Sequence, residues 1–164
     1  MPFDAEEQAR LSALKGYGVL DTPNEAEFDA IVREAASLCR APIALVSLVD
    51  ENRQWFTARL GLSAEETPRS ISFCTHAIRG DDVMVVANAA QDERFADNPL
   101  VRGEPSIRFY AGAPLKTPSG SRLGTLCVID SKARPTLSQA QTEALERLAT
   151  RTVEAFERRR HRAV

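Results

Sequence analysis

A cysteine and a histidine stand two residues apart in the segment SISFCTHAI, residues 70–78. Cys74 is one of three cysteines in the chain, and His76 is one of two histidines. Such a pair could act as a thiol with its base, supply two ligands of a metal site, or line a binding pocket. Ser72 has the type and position of a helix cap, and a thiol in the first turn of a helix lies near the positive end of the helix dipole, which favours thiolate.

Helix geometry weakens the idea that Cys74 and His76 act together. Successive helical residues turn by about 100°, so the two side chains point roughly 200° apart. Both side chains can contact the same atom only if the segment is extended, because alternate residues of an extended segment share a face. A metal site needs two or three further ligands, and the other histidine, His161, lies in the C-terminal tail. The residues therefore favour lining or supporting a pocket over redox or ligand chemistry, and that chemistry over a metal or haem site.

A second set of polar side chains lies in the predicted strand SIRFYAGAPL, residues 106–115. Strand alternation puts Ile107 and Phe109 on one face and Arg108 and Tyr110 on the other. A guanidinium and a phenol on one wall suit an anionic or polar ligand. The sequence thus predicts a ligand-binding set drawn from two segments: Arg69, Phe73, Cys74, His76, Arg108 and Tyr110.

The elements that position these residues follow from capping patterns and periodicity. Caps predict a short helix from Asp4 to about Lys15, a second helix from Thr22 and a last helix from Ser138, whose partner in a capping box is Gln141. The second and last helices carry apolar stripes with a period near 3.6 residues. Apolar or alternating runs predict strands at residues 42–50, 54–60, 83–88, 106–115 and 122–130.

The order of these elements predicts an α+β fold. We expect an antiparallel sheet of five to six strands with the N- and C-terminal helices on one face. A short helix at 72–79 and the polar loop at 89–105 would cover the other face and leave a pocket, because loops pack less completely than long helices. On the last helix, Leu145, Thr152 and Phe156 are candidates for a seam with a partner helix in a parallel dimer.

Composition limits the functional classes. The 164 residues carry a net charge of −2, so the overall charge of the chain does not attract nucleic acid or an anionic membrane. There is no apolar run near the roughly 20 residues that span a bilayer, and the N-terminus is acidic and polar, which predicts a cytoplasmic protein. The cysteines are odd in number and lack a CxxC pair, which argues against a disulfide framework and against a structural zinc site. No enzyme signature motif is present, and a single domain over 1–164 is expected, with a basic tail at 158–164.

Three stretches, residues 20–62, 67–78 and 92–130, resemble the GAF domain family in their joint order and spacing. They are similar in particular to GAF domains of bacterial sensor histidine kinases and diguanylate cyclases, and the resemblance extends over about residues 8–159. It implies a small-molecule-sensing fold with a ligand pocket opposite the terminal helices. It also implies dimerisation through those helices and a histidine kinase or diguanylate cyclase output in cis or in trans. The ligand and any cofactor stay unidentified.

The residues that three chemistries known in that family require are missing from this sequence. Members that bind cyclic nucleotides carry an Asn-Lys pair, which is missing although Phe95 is present. Members that bind bilins have a cysteine directly followed by histidine, whereas Thr75 separates Cys74 from His76. The free methionine sulfoxide reductases use clustered cysteines, and the sequence predicts one cysteine in the pocket with none beside it, because Cys127 reads as core packing. A non-catalytic sensor is therefore expected, with a thiol enzyme using Cys74 and a dimerisation scaffold without ligand as alternatives.

Overall fold

The computed structural model describes residues 5–162, with side chains described through residue 160. Its helices are α1 (Ala5–Tyr17), α2 (Ala26–Cys39), α3 (Cys74–Ala77), α4 (Pro99–Arg102) and α5 (Gln139–Arg162). Its strands are β1 (Ile43–Val49), β2 (Arg53–Leu60), β3 (Glu66–Pro68), β4 (Met84–Val86), β5 (Phe109–Lys116) and β6 (Arg122–Asp130). Within this range, none of the helices has the length and apolar character that crossing a bilayer requires.

The six strands form one antiparallel sheet in the order β3-β2-β1-β6-β5-β4. β1 and β6 lie at the centre, and every residue of β1 is buried. This burial explains why both strands read as nearly unbroken apolar runs, since a central strand covered on both faces needs apolar side chains on each. The predicted α+β class and strand number are confirmed.

The two faces of the sheet carry separate apolar layers. In β1, Ala44 and Val46 point towards α1, α2 and α5, whereas Ile43 and Leu45 point to the opposite side. The three long helices thus share one face, as predicted. The other face is covered by the roof, which consists of residues 61–65, 69–79 and 89–107. A pocket can therefore form only where these short segments fail to fill the space above the sheet.

Local capping patterns predicted one helix start correctly and another wrongly. At α5 the Gln141 N–H donates to Ser138 Oγ and the Ser138 N–H donates to Gln141 Oε1, at 3.1 and 3.0 Å, which is the predicted capping box. The prediction that Thr22 caps α2 is wrong, because the helix begins at Ala26. Thr22 Oγ1 instead donates to the Val19 carbonyl at 2.6 Å and so belongs to the turn that follows α1.

The side chains predicted to form a seam with a partner helix are not available for one. Leu145, Thr152 and Phe156 are all fully buried within the domain. Phe156 packs on Phe28 of α2 with ring centroids 5.0 Å apart, and Thr152 Oγ1 donates to the Leu148 carbonyl. The stripe was assigned to the wrong neighbour because periodicity reveals which helix face is apolar but not what covers it.

The basic C-terminal end of α5 pairs with acidic residues of the same domain. Arg159 Nε lies 2.6 Å from Glu25 Oε2, and Arg158 contacts Glu27. Arg159 also donates to the Gly18 carbonyl at 2.9 Å. These contacts join the end of α5 to the start of α2, so the cations have an intramolecular role.

Candidate functional site

A cavity of about 470 Å³ lies between the sheet and the roof. This volume is within the range of small-molecule sites. Its floor is formed by β1, β2, β5 and β6, and its cover by residues 61–67, 73–74 and 100–107. The lining is mainly apolar, with polar or thiol groups at a few points: Gln54, Ser63, Thr67, Cys74, Glu104, Tyr110 and Cys127.

The six predicted ligand-binding residues divide into two groups. Phe73, Cys74 and Tyr110 line the cavity, and each is buried. Arg69, His76 and Arg108 do not line it. The structure therefore brings together three of the six side chains and directs the others to contacts outside the cavity.

Arg69 connects the roof to the N-terminal helix. Its Nη1 lies 2.7 Å from Glu7 Oε1 of α1 and donates to the Asp50 carbonyl at 3.1 Å. Glu7 also receives two hydrogen bonds from Arg10, each 2.9 Å long. The hydrogen bonds from Arg10 and Arg69 outweigh the effect of burial and lower the pKa of Glu7 to about 2. The guanidinium of Arg69 thus has a structural partner in place of the ligand that the sequence suggested.

His76 lies on the outer side of the roof. Its ring meets Phe95 edge-on at 4.9 Å, and Phe95 stacks on Phe73 at 4.0 Å with planes 6° apart. Burial lowers the pKa of His76, and the nearby cations of Arg79 and Arg94 lower it further. Two stacked aromatic rings therefore separate His76 from the cavity, and it is not placed to act as a base for Cys74.

Arg108 is held by the backbone of the roof. Its Nη1 donates to the carbonyls of Val101 and Ile107, at 2.8 and 3.0 Å. The prediction that Ile107 shares a face with Phe109 is wrong, since Ile107 lines the cavity while Phe109 packs against the helices. The reason is that β5 begins only at Phe109, and Ser106 has a positive φ of 61°, so regular alternation does not extend that far back.

A cluster of thiol and hydroxyl groups lies where α3 of the roof meets the sheet beside the cavity. Cys74 Sγ lies 3.0 Å from Thr125 Oγ1 and 3.2 Å from Tyr110 Oη, and the two oxygens are 3.3 Å apart. The Cys127 thiol lines the same cavity and lies two residues beyond Thr125 on the same strand face. The prediction that no other cysteine lies beside Cys74 is therefore wrong. Alternation along β6 puts Cys127 on the face of Thr125, but only the packing of α3 on β6 brings Cys74 to them.

The two neighbouring thiols differ in acidity. Burial raises the pKa of Cys74, but hydrogen bonds from Cys127 and from neighbouring hydroxyl groups, among them Thr125 and Tyr110, outweigh burial and hold it below the usual value of a thiol. The hydrogen bond with Cys74, followed by burial, raises the pKa of Cys127 well above that value. Negative charge in this cluster is thus favoured on Cys74, while Cys127 keeps its proton.

Gln54 joins the sheet to the start of α3. Its Oε1 accepts from Ser47 Oγ at 3.0 Å and from Ser72 Oγ at 2.9 Å. Its Nε2 donates to Thr67 Oγ1 at 2.7 Å. Ser72 Oγ also accepts from the Thr75 N–H at 3.2 Å, so it stabilises the turn that leads into α3, although the N-cap position of that helix is Phe73. No sequence pattern pointed to Gln54, because a single polar residue in an alternating strand reads as solvent-facing.

Comparison with known proteins identifies one family. The family model described as GAF domain matches residues 23–156. A cyclic di-GMP phosphodiesterase of Pseudomonas aeruginosa is 46% identical over 148 residues, which are 90% of this chain and 25% of that protein. The chain thus spans about a quarter of the length of this curated relative.

Solved structures of GAF domains have the same fold. The GAF domain of a phosphoenolpyruvate-protein phosphotransferase from Coxiella burnetii matches with a TM-score of 0.69 and 14% identity, covering 98% of this chain and 99% of that one. The corresponding Acinetobacter domain gives 0.68 and 19%, covering 95% of each chain. A type II free methionine-R-sulfoxide reductase from Thermoplasma acidophilum gives 0.64 and 13%, covering 94% and 96%. At these identities the likeness concerns the fold alone.

Proposed function

Because the chain belongs to the GAF domain family, we propose that it is a small-molecule-sensing regulatory domain of bacterial signal transduction. The domain is non-catalytic, and its ligand binds between the sheet and the roof. Binding shifts the terminal helices and thereby the activity of an output partner. The observation that carries this proposal is the cavity of about 470 Å³, which the protein's own side chains leave unfilled.

The lining favours an uncharged or cationic ligand that is largely apolar. Glu104, at the exposed edge, is the one carboxylate in a lining that has no lysine or arginine, and a thiolate at Cys74 adds a second negative charge. An anion buried here would lack a cation, because Arg69 and Arg108 make their contacts elsewhere, and an unpaired buried charge is costly. Tyr110 and Gln54 are available at the floor to orient one polar group of the ligand. This class replaces the anionic ligand that the positions of the two arginines suggested.

The contact of Arg69 with Glu7 offers a route from the pocket to the terminal helices. Arg69 belongs to the segment that leads into α3, and α3 supplies Cys74 to the cavity. Glu7 belongs to α1, which packs against α5. A ligand that displaces the roof therefore pulls on α1 through an ion pair whose side chains are both mostly buried, at 17% exposure each.

The proposed output is an enzyme of cyclic di-GMP signalling or a histidine kinase, in cis or in trans, acting in the cytoplasm. The name of the Pseudomonas aeruginosa relative favours the cyclic di-GMP enzyme. Cyclic di-GMP itself is dianionic and fits poorly in a cavity whose lining has a carboxylate and no lysine or arginine, so we assign that nucleotide to the output. Homodimerisation is proposed through exposed surfaces of the terminal helices, since Leu145 and Phe156 are buried.

The test is a ligand screen read by thermal unfolding, preceded by native mass spectrometry for a retained small molecule. The panel contains uncharged, cationic and anionic compounds of similar size, with cyclic di-GMP among the anions. A true ligand at a hundredfold excess over its Kd should stabilise the domain by about 2.7 kcal/mol. We expect the shift from an uncharged or cationic compound and none from cyclic di-GMP.

A cavity-blocking variant controls the screen. Ala64 is half-buried and lines the roof, so Ala64→Trp should fill the cavity and abolish the ligand-induced shift. Ala133→Trp, on an exposed loop, should leave the shift intact. A screen without any shift would favour the ligand-free dimerisation scaffold. A shift that persists in Ala64→Trp would place the ligand elsewhere.

A thiol-dependent enzyme is the second candidate, and one observation favours it. Cys127 and Cys74 line the same cavity, so a nucleophile and a candidate resolving thiol are both present. The test is reduction of free methionine sulfoxide, coupled to a thioredoxin system, by the wild type and by Cys74→Ala. Activity that depends on Cys74 would support an enzyme, and background rates in both proteins would remove this candidate.

A further inference from the structure

Two cysteines line the same cavity, and their thiol chemistry does not depend on ligand sensing. Cys74 is the first residue of α3 in the roof, and Cys127 lies in the central strand β6, so the two thiols belong to the two layers that enclose the cavity. Both are almost fully buried against protein atoms, at 2% and 0% exposure, yet both line the cavity. The third cysteine, Cys39, is buried in the other layer, between the helices and the sheet. Cys39 can therefore serve as an internal control for the reactivity of Cys74 and Cys127.

The surroundings of the pair give its members different roles. Cys74 Sγ lies 3.0 Å from the Thr125 hydroxyl and 3.2 Å from the Tyr110 hydroxyl, and both groups can donate to a thiolate and so stabilise it. Cys127 lies two residues beyond Thr125 on the same strand face. One thiol is therefore prepared as a nucleophile and its neighbour as the group that attacks it in a second step.

Small oxidants have access to the pair through the cavity. The exposed residues Gly61 and Ser63 line the same cavity as both thiols. A volume of about 470 Å³ admits a molecule far larger than hydrogen peroxide, so burial of the sulphur atoms does not isolate them from small solutes.

We propose that Cys74 and Cys127 form a reversible disulfide when a small hydroperoxide enters the cavity. The Cys74 thiolate attacks the peroxide oxygen, so that an S–O bond forms, the O–O bond breaks, and the leaving oxygen takes a proton to become water or an alcohol. The Cys127 sulphur then attacks the sulfenic sulphur of Cys74, forming the S–S bond and releasing hydroxide, which takes the Cys127 proton and leaves as water. The two thiols lose two electrons and two protons, and the peroxide gains both. A dithiol reductant reverses the reaction.

The disulfide changes the cavity as well as the thiols. An S–S bond of about 2.05 Å joins α3 of the roof directly to β6 of the sheet. Bond formation withdraws Cys74 from Thr125 and Tyr110, which leaves the two hydroxyl groups to bond each other. We therefore expect the oxidised domain to have a narrower cavity and a roof anchored to the sheet.

The experiment treats the folded protein with hydrogen peroxide and maps its peptides by mass spectrometry without reduction. The wild type and Cys39→Ser should each yield a linked peptide containing Cys74 and Cys127, which disappears with dithiothreitol. In Cys127→Ser, dimedone should trap a sulfenic acid on Cys74, and Cys74→Ser should form no linked peptide. Ala64→Trp should slow the oxidation, whereas Ala133→Trp should not. Circular dichroism checks that each variant is folded.

A measurement on the unmutated protein keeps the test decisive if a variant does not fold. At neutral pH iodoacetamide should modify Cys74 at least about tenfold faster than Cys39, because the thiolate is the reactive form. The proposal is overturned if the folded wild type forms no Cys74–Cys127 link under peroxide, or if Cys39 is oxidised as fast as Cys74. Accumulation of sulfinic acid in place of the disulfide would overturn it as well.

Discussion

Replacing Gly112 by alanine should destabilise the domain through one contact. An added Cβ would overlap Tyr110 Oη and lie within 3 Å of two carbons of the same ring. Tyr110 cannot swing aside, because it is 1% exposed, meets the Phe73 ring at 5.2 Å and is hydrogen-bonded at its hydroxyl. The close approach that a glycine inside a strand indicates is thus made by the domain's own tyrosine.

The magnitude follows from two terms. Overpacking a filled core costs about 1–3 kcal/mol. Moving the ring also weakens the hydrogen bonds of Tyr110 to Cys74 and Thr125, each contributing about 1 kcal/mol. We expect a loss of about 2–4 kcal/mol in the free energy of unfolding, which for a domain of this size lowers the melting temperature by roughly 4–16 °C.

The assay is urea unfolding followed by circular dichroism, with Gly80→Ala as the matched control. An added Cβ at Gly80 meets nothing within 4 Å, so this variant should stay within about 0.5 kcal/mol of the wild type. Tyr110→Phe removes the closest contacting atom, so the double variant with Gly112→Ala should lose less stability than the two single variants add up to. The reasoning is refuted if Gly112→Ala is as stable as Gly80→Ala, or if the two substitutions are additive.

Three further predictions concern the helices. Because the pKa of Glu7 is lowered to about 2, its ionised form stabilises the fold above about pH 4.5, and this contribution is lost as the pH falls towards 2. Glu7→Gln should therefore lower the free energy of unfolding, measured in urea, by about 1–3 kcal/mol at pH 7 and weaken its dependence on pH between 4.5 and 2. An unchanged pH dependence would contradict this. Ser138→Ala should cost about 1 kcal/mol in the same assay at pH 7, whereas Ser12→Ala on the exposed side of α1 should not. Phe156→Ala should lower the free energy of unfolding in urea by about 3–5 kcal/mol, far more than Leu38→Ala at an exposed position. If the variant instead changes its oligomeric state in size-exclusion chromatography with little loss of stability, Phe156 belongs to a seam with a partner helix.

Sequence patterns predicted correctly what depends on neighbouring residues. The capping box of Ser138 needs only a residue three positions later, and the hydrogen bond to Ser72 needs only the N–H of Thr75. Strand alternation likewise identified Tyr110 as facing away from Phe109. The patterns failed where a distant group decided the outcome, as for Arg69, whose side chain is held by Glu7 of α1.

Hydrophobic periodicity and caps are local properties of the chain, and they predicted the three long helices, five of the six strands and the sheet face that the helices cover. They did not predict β3, which falls outside the predicted strands, or which side chains meet at the cavity, because these depend on tertiary packing. Cys74 and Cys127 lie far apart in the chain, and their place in one cavity depends on how α3 packs on β6, which no local pattern encodes. Arg108 and His76 also face away from the cavity, because Arg108 donates to the Val101 carbonyl and His76 meets the Phe95 ring, and both partners come from another part of the roof.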